Sequence, residues 1–390
     1  MRKRKAFVDF VTEQNGLFLV VATALAILVR LQFFPHASSD YYEFLQGWFD
    51  TLRLNGGFAA LAQNFGDYTP PYYYILALLS YIPGRDLYLI KAFSCLTDVL
   101  MAYCVLRLVR LKYDEFWGEI AYAITLFLPS VVINSSVWAQ CDSIYTALLL
   151  TCLYYLLTDR PNRAVLAYSI AFAFKLQSIF LAPFLLLLLL KRKIKWRSVL
   201  ILPITYLVLI LPAVFLGGNL WDLLTVYVRQ TGEYQQLSLN FPNLYIWFPQ
   251  DAPAYIGKIA VLSAGALVLV TLGYLCRKKF TLSNNMMVSL SLFYLLLVPY
   301  FLPYMHDRYY YPADLFSLVF AFYYPEKFYV PIITVLSSTY AALRFLFGIH
   351  FINLKVFSVM MLFNLIWVGI QIVYRIRDDA DGKAAQVWME

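Results

Sequence analysis

The sequence predicts an all-α protein that crosses a membrane many times, and three observations carry that expectation. Hydrophobic residues make up 62% of the chain and charged residues only 14%, a balance foreign to a soluble domain. The apolar runs are continuous and near 20 residues long, enough for a helix to span ~30 Å of hydrocarbon, whereas barrel strands would alternate apolar with polar side chains. Lys and Arg gather in short clusters between the runs. Many of the 32 tyrosines, 31 phenylalanines and 8 tryptophans sit at the run ends, as interfacial belts do.

The basic clusters fix an orientation. They are Arg2 to Lys5; Arg107, Arg110 and Lys112; Arg160 and Arg163; Lys191 to Arg197; Arg277 to Lys279; Lys327; and Arg375, Arg377 and Lys383. Placed in the cytoplasm, they give about twelve spans with both termini inside. The spans are 15–34, 87–107, 116–134, 143–158, 163–175, 177–190, 198–216, 256–275, 284–302, 309–324, 328–347 and 355–374. The short pair 163–175 and 177–190 turns at Lys175 on the outside, so one or both is expected to be tilted or incomplete. The +8 net charge belongs to these anchoring loops and is no sign of nucleic-acid binding.

The first apolar run, Leu17 to Phe34, is too long for a signal h-region and lacks a small-residue cleavage site, so it reads as an uncleaved span. Pro70 to Ile82 is apolar over only about 13 residues, short for a crossing. It is expected to lie at the outer surface or to re-enter from it; a true crossing would move Arg107, Arg110 and Lys112 outside. The first outer loop, about 35–86, is then long. From Asp40 its residues Tyr41, Phe44, Leu45, Trp48, Phe49 and Leu52 recur at helical spacing, as in an interfacial helix. A second outer loop covers about 217–255, with an amphipathic stretch from Trp221 to Val228. No soluble domain, linker or repeat stands out, so the chain reads as one integral membrane domain: 15–215 carries the outer loop 35–86, and 216–390 supplies the C-terminal helices. The five cysteines lack paired metal spacing and read as small core residues.

This topology brings every polar cluster with chemical character to one face, opposite the basic loops. Asp40 is either an N-cap, with Glu43 completing a capping box, or a surface carboxylate able to take a proton from an acceptor hydroxyl. Asp67 either starts a turn before the rigid Pro70-Pro71 pair or is held by it beneath a site. Asp142 follows Trp138-Ala139-Gln140 at a span end, where a carboxylate must be solvated or paired. Lys175 either snorkels to the interface or neutralises a lipid phosphate, with Gln177 adding a second polar group. His306, Asp307 and Arg308 precede three tyrosines. The guanidinium suits phosphate oxygens, although a lone histidine at a helix end is usually structural. Arg30 reads as a snorkelling side chain. Asn240 and Asn243 read as sugar ligands or loop shapers, and His350 has no acidic company.

In order along the chain these motifs resemble the GT-C superfamily of membrane glycosyltransferases, all-α polytopic enzymes with interfacial helices in the first outer loop. Asp40-Tyr41-Tyr42-Glu43 followed by Asp67-Tyr68-Thr69-Pro70-Pro71-Tyr72 is similar to the acidic motifs of dolichyl-phosphate-glucose glucosyltransferases. Trp138 to Tyr145 resembles the short external loop of bacterial relatives of the second GPI mannosyltransferase. Phe174-Lys175-Leu176-Gln177 and His306-Asp307-Arg308-Tyr309 resemble later family motifs. Two departures stand out: the third motif lacks the histidines of the glucosyltransferases, and Asp307 stands where glutamate is commoner. The resemblance implies transfer of a hexose from a polyprenyl-phosphate sugar to an extracytoplasmic glycan or lipid-linked acceptor, with inversion. It implies Asp40 as general base and Lys175, His306 and Arg308 around the donor phosphate. Glu43, Asp67, Tyr68, Gln140, Asp142, Gln177 and Asp307 would bind the substrates. No dense carboxylate cluster requires a metal, so neither metal nor cofactor is expected. The alternatives are a lipid-linked glycan flippase, which needs polar groups at the bilayer midplane, and a ligase or polymerase taking a pyrophosphate-linked donor.

Overall fold

The structure, a computed structural model, describes residues 15–63, 65–230, 236–250 and 254–380. It is helical almost throughout. In chain order the α-helices are α1 (Asn15–Leu31), α2 (Gln46–Leu54), α3 (Pro70–Ser80), α4 (Asp86–Val109), α5 (Glu115–Phe127), α6 (Pro129–Val132), α7 (Asp142–Leu157) and α8 (Pro161–Phe174). Then come α9 (Ala182–Leu190), α10 (Ile201–Phe215), α11 (Leu220–Gln230), α12 (Ala254–Arg277), α13 (Asn284–Phe301), α14 (Tyr311–Tyr323), α15 (Tyr329–Phe347) and α16 (Leu354–Ala380). Among the described residues the sheet content is a two-residue parallel pair, β1 (Ser238–Leu239) on β2 (Met305–His306).

Helix occurs at each of the twelve expected spans, but length divides them. Among the described residues six segments are long and apolar enough to cross a membrane: α4, α12, α13, α16, and those ending in α10 and α15. A seventh crossing results if α5 and the segment Pro129–Val137, bent by 52° at their junction, count as one. The physical cause of the bend is Pro129, which cannot donate to the preceding turn. The expected span 177–190 opens as a 3-10 turn, Leu176–Leu181, before α9. α3 has 11 residues, ~16 Å of helix, which is too short for a crossing. Its Pro70-Pro71 start fixes φ at the first turn and most of its side chains are buried. The basic residues Arg2 to Lys5 and Lys383 lie outside the described residues.

The chain forms two compact units. The first comprises Met1–Tyr154, Arg163–Ser178 and Leu200–Glu233. In it Ala22 and Ala26 of α1 are small enough for Ala102 and Leu106 of α4 and Tyr122 and Leu126 of α5 to close around them. A second core, under the outer loop, joins Trp48, Phe49 and Leu52 of α2 to Tyr72, Tyr73 and Leu76 of α3, and reaches Ala139 and Cys141. The apolar stripe read from Asp40 onward is therefore buried against α3. The second unit comprises Tyr155–Asn162, Ile179–Val199 and Tyr234–Glu390. Its centre is α13, 72% of whose residues are buried; α12, with 22% of its most apolar stretch buried, presents apolar side chains outward as a lipid-facing helix does. All five cysteines are free thiols, and only Cys276 is exposed.

Candidate active site

The first unit holds a carboxylate at the start of the outer-loop helix. Asp40 is 9% exposed, and its Oδ2 accepts from Trp138 Nε1 at 2.9 Å and from Gln140 Nε2 at 3.0 Å. Its side chain makes no cap hydrogen bond. Ser38 takes that role: its Oγ accepts from the Tyr41 amide at 3.3 Å and donates to the Trp138 carbonyl at 3.3 Å. The capping-box reading of Asp40 and Glu43 is thus overturned, because the carboxylate is turned toward the 138–140 loop. Glu43 is exposed on the π-helical turn Tyr41–Leu45.

The 138–140 loop points both donors at Asp40 through an unusual backbone. Ala139 has φ +65° and no exposed surface, a left-handed conformation that costs an L-residue free energy and that glycine would take more readily. The loop is fixed at both ends. The Trp138 amide closes the π-turn on the Ile133 carbonyl at 2.9 Å, and the Gln140 amide donates to the Asn134 carbonyl at 2.9 Å.

One turn onward lies a buried ion pair. Asp142, 1% exposed, accepts from Asn134 Nδ2 at 2.8 Å, and Lys175 Nζ donates to its other oxygen. The ammonium also lies 5.6 Å from the Tyr68 ring and 5.7 Å from the Tyr145 ring, within cation–π range. Lys175 therefore does not snorkel. Two buried charges in one site need this mutual neutralisation, because an unpaired one would be strongly destabilising. Thr69 Oγ1 donates to the Phe174 carbonyl at 3.2 Å, tying the start of α3 to the residue before Lys175. The Asp67 carbonyl accepts from Gln230 Nε2 of α11. Gln177 is 9% exposed, and its Oε1 meets no donor among the described residues. Asp40, Gln140, Asp142, Lys175 and Tyr68 are thus joined through the 133–142 segment and its neighbours. Beside them, burial first and a 2.7 Å hydrogen bond to Asp86 second push the Tyr41 phenol up, so it stays a neutral donor.

The second unit holds the other constellation. His306 ends β2, its ring 5.2 Å from that of Tyr309, and Asp307 is 2% exposed. Amides of Tyr309 and Tyr311 close turns onto the carbonyls of His306 and Arg308, both at 3.0 Å, leading into α14. Tyr310 stacks on Phe241 at 4.2 Å. Asn243 is a loop shaper: fully buried, it accepts from the Tyr245 amide and donates to the Leu302 carbonyl. Asn240 Oδ1 accepts from Arg344 Nε at 3.0 Å. Among the described residues no group of three or more His, Cys, Asp or Glu side chains is placed to hold a metal ion.

A family model described as Glycosyltransferase family 87 matches residues 65–299, more than half of the chain. The chain belongs to that family. A search of curated proteins gives no match. As a member of glycosyltransferase family 87 the protein is a membrane glycosyltransferase of GT-C-like type. The matched segment contains Asp67, Gln140, Asp142, Lys175 and Gln177; it begins after Asp40 and ends before His306.

Buried charges of this glycosyltransferase that escaped the sequence reading include Asp98 and Lys91. Asp98 of α4 accepts from Arg30 Nε at 3.1 Å and from Ser135 Oγ at 2.6 Å. Arg30 also donates to the Leu126 carbonyl at 2.9 Å, at the α5–α6 break. Arg30 is only 2% exposed and so does not snorkel; it holds the bend. Lys91, fully buried on α4, donates to the carbonyls of Phe33, Phe34 and His36, at the exit of α1 toward Asp40. The one sequence signal for either is a charge inside an apolar run, which in a membrane segment demands a partner.

Proposed function

We propose that this glycosyltransferase moves a hexose from a polyprenyl-phosphate sugar to an extracytoplasmic glycan or lipid-linked acceptor in one inverting displacement, with Asp40 as the general base. The observation that carries the reading is the Asp40 carboxylate, nine-tenths buried and gripped on one oxygen by Trp138 Nε1 and Gln140 Nε2. A base must hold its orientation while an acceptor hydroxyl approaches, and two donors on buried side chains serve that end.

In this reaction the acceptor oxygen gives its proton to Asp40 as it bonds to the anomeric carbon. The bond from that carbon to the donor phosphate breaks on the opposite face. Positive charge develops on the ring and negative charge on the departing polyprenyl phosphate. His306 and Arg308 are assigned to the phosphate, Arg308 because its planar fork matches phosphate oxygens. Lys175, whose ammonium pairs with Asp142, is assigned to the phosphate on its motif alone. Asp142, Asp67 and Glu43 bind hydroxyls of sugar or acceptor, as do Tyr68, Gln140, Gln177 and Asp307. With the basic loops placed in the cytoplasm by the positive-inside rule, the site faces the extracytoplasmic side of the cell membrane and both termini are cytoplasmic.

The test is donor choice. Purified protein supplied with an acceptor and a labelled hexose on polyprenyl monophosphate is expected to form product, and with the pyrophosphate-linked donor to form none. The reverse preference would make it a ligase or polymerase. Movement of the labelled lipid across proteoliposomes without any acceptor, and without product when one is added, would make it a flippase.

A further inference from the structure

The second unit contains an apolar groove of about 630 Å³ between α12, α13 and α16 that the proposed reaction leaves unused. Leu275 and Val270 of α12, Phe293 of α13 and Ile366 of α16 line its walls. Gly369 opens its floor: a Cβ there would already stand 3.4 Å from the Phe293 ring, so any large side chain would fill the space. The groove runs along α16 from Ile366 to Arg377. That is ~16 Å of helix, about half the hydrocarbon thickness, hence one leaflet.

Its end is polar and positively charged. Tyr274, Tyr374 and Arg377 form the mouth, and Lys278 lies 5.5 Å over the Tyr274 ring. Arg277 and Lys279 flank them. Two acids stand close by in sequence, Asp378 and Asp379, and Asp379 is engaged by the Thr281 amide at 2.7 Å. Arg377 is exposed and has no ion-pair partner among the described residues. With the orientation set by the basic loops, this mouth lies at the cytoplasmic surface.

From this geometry we infer a binding site for one anionic phospholipid of the cytoplasmic leaflet. An acyl chain lies in the groove, and the headgroup phosphate meets Arg377 and Lys278. The walls supply what a hydrocarbon chain needs and nothing that a sugar or peptide needs, and the cations sit where a phosphate at the leaflet surface would be. Basic pockets between spanning helices on this side are suited to anionic headgroups, each cation near the surface contributing roughly 1 kcal/mol, about fivefold in affinity. The site is separate in chemistry from the proposed donor site, so its test is independent of the reaction.

The experiment is native mass spectrometry on the full chain, delipidated in detergent and re-supplied with equal amounts of phosphatidylglycerol and phosphatidylcholine. Wild-type protein, with two cations at the mouth, is expected to retain one phosphatidylglycerol about 25-fold over phosphatidylcholine. Arg377→Gln, at an exposed position, is expected to lower that preference to about fivefold while some lipid is still retained. Gly369→Phe is expected to lower occupancy by either lipid, with a thermal melt confirming that the protein is folded. Equal retention of the two lipids by wild type, or an unchanged preference in Arg377→Gln, would overturn the site. So would a dimer that excludes lipid and that Gly369→Phe dissociates, since a second copy would then be the occupant.

Discussion

At Ala139 a single backbone conformation decides where two hydrogen-bond donors point. The tryptophan and glutamine on either side both reach Asp40 because the residue between them sits at φ +65°. The Trp-Ala-Gln motif was legible in the sequence as a polar cluster at a span end. Its aim was not, because glycine is the usual marker of a left-handed turn and an alanine there gives no warning. For the same reason the short range of Asp40 to Glu43 suggested a capping box, while the real partners of Asp40 lie 98 and 100 residues away. Ala139→Gly is expected to keep activity and to hold or raise thermal stability. Ala139→Val, β-branched in a left-handed conformation, should lose roughly 1–3 kcal/mol. Thermal unfolding in detergent compares the two, and equal melting temperatures would show that the backbone at 139 is not the constraint.

Among the elements, the broken helix α5–α6 gives the site its frame. Pro129 frees carbonyls at the bend, Arg30 caps one of them at Leu126, and Asp98 holds both Arg30 and Ser135 of the following π-turn. That π-turn also carries Asn134, the partner of Asp142. The chain from residue 116 to 134 reads in sequence as one continuous span, since hydropathy averages over a proline. The partners of Arg30 and Asp98 lie too far apart in sequence for periodicity to pair them. Removing either charge alone leaves the other buried without its counter-ion, so Arg30→Gln or Asp98→Asn should each cost about 3–5 kcal/mol. The double variant Arg30→Met, Asp98→Leu should lose clearly less than the two single losses combined. Strict additivity in detergent melts would mean the pair does not act as a unit.

For the whole molecule, the alternation of basic loops and apolar runs made the helical membrane fold legible, and it located helix at every expected span. Length was the less legible part, because a short helix packed on protein and a full crossing share the same composition. α3 and the 3-10 start before α9 show this. The orientation is open to a direct check, since Cys276 is exposed beside the basic cluster Arg277 to Lys279. A membrane-impermeant thiol reagent should label it only in permeabilised cells; labelling in intact cells would invert the topology. Orientation and outer-loop geometry together serve one assignment, the base at position 40. Turnover of a labelled polyprenyl-phosphate hexose by purified Asp40→Asn tests it most directly. The account expects a fall of roughly 10²–10⁴-fold in kcat for a variant that melts like wild type, and a rate equal to that of wild type would contradict it.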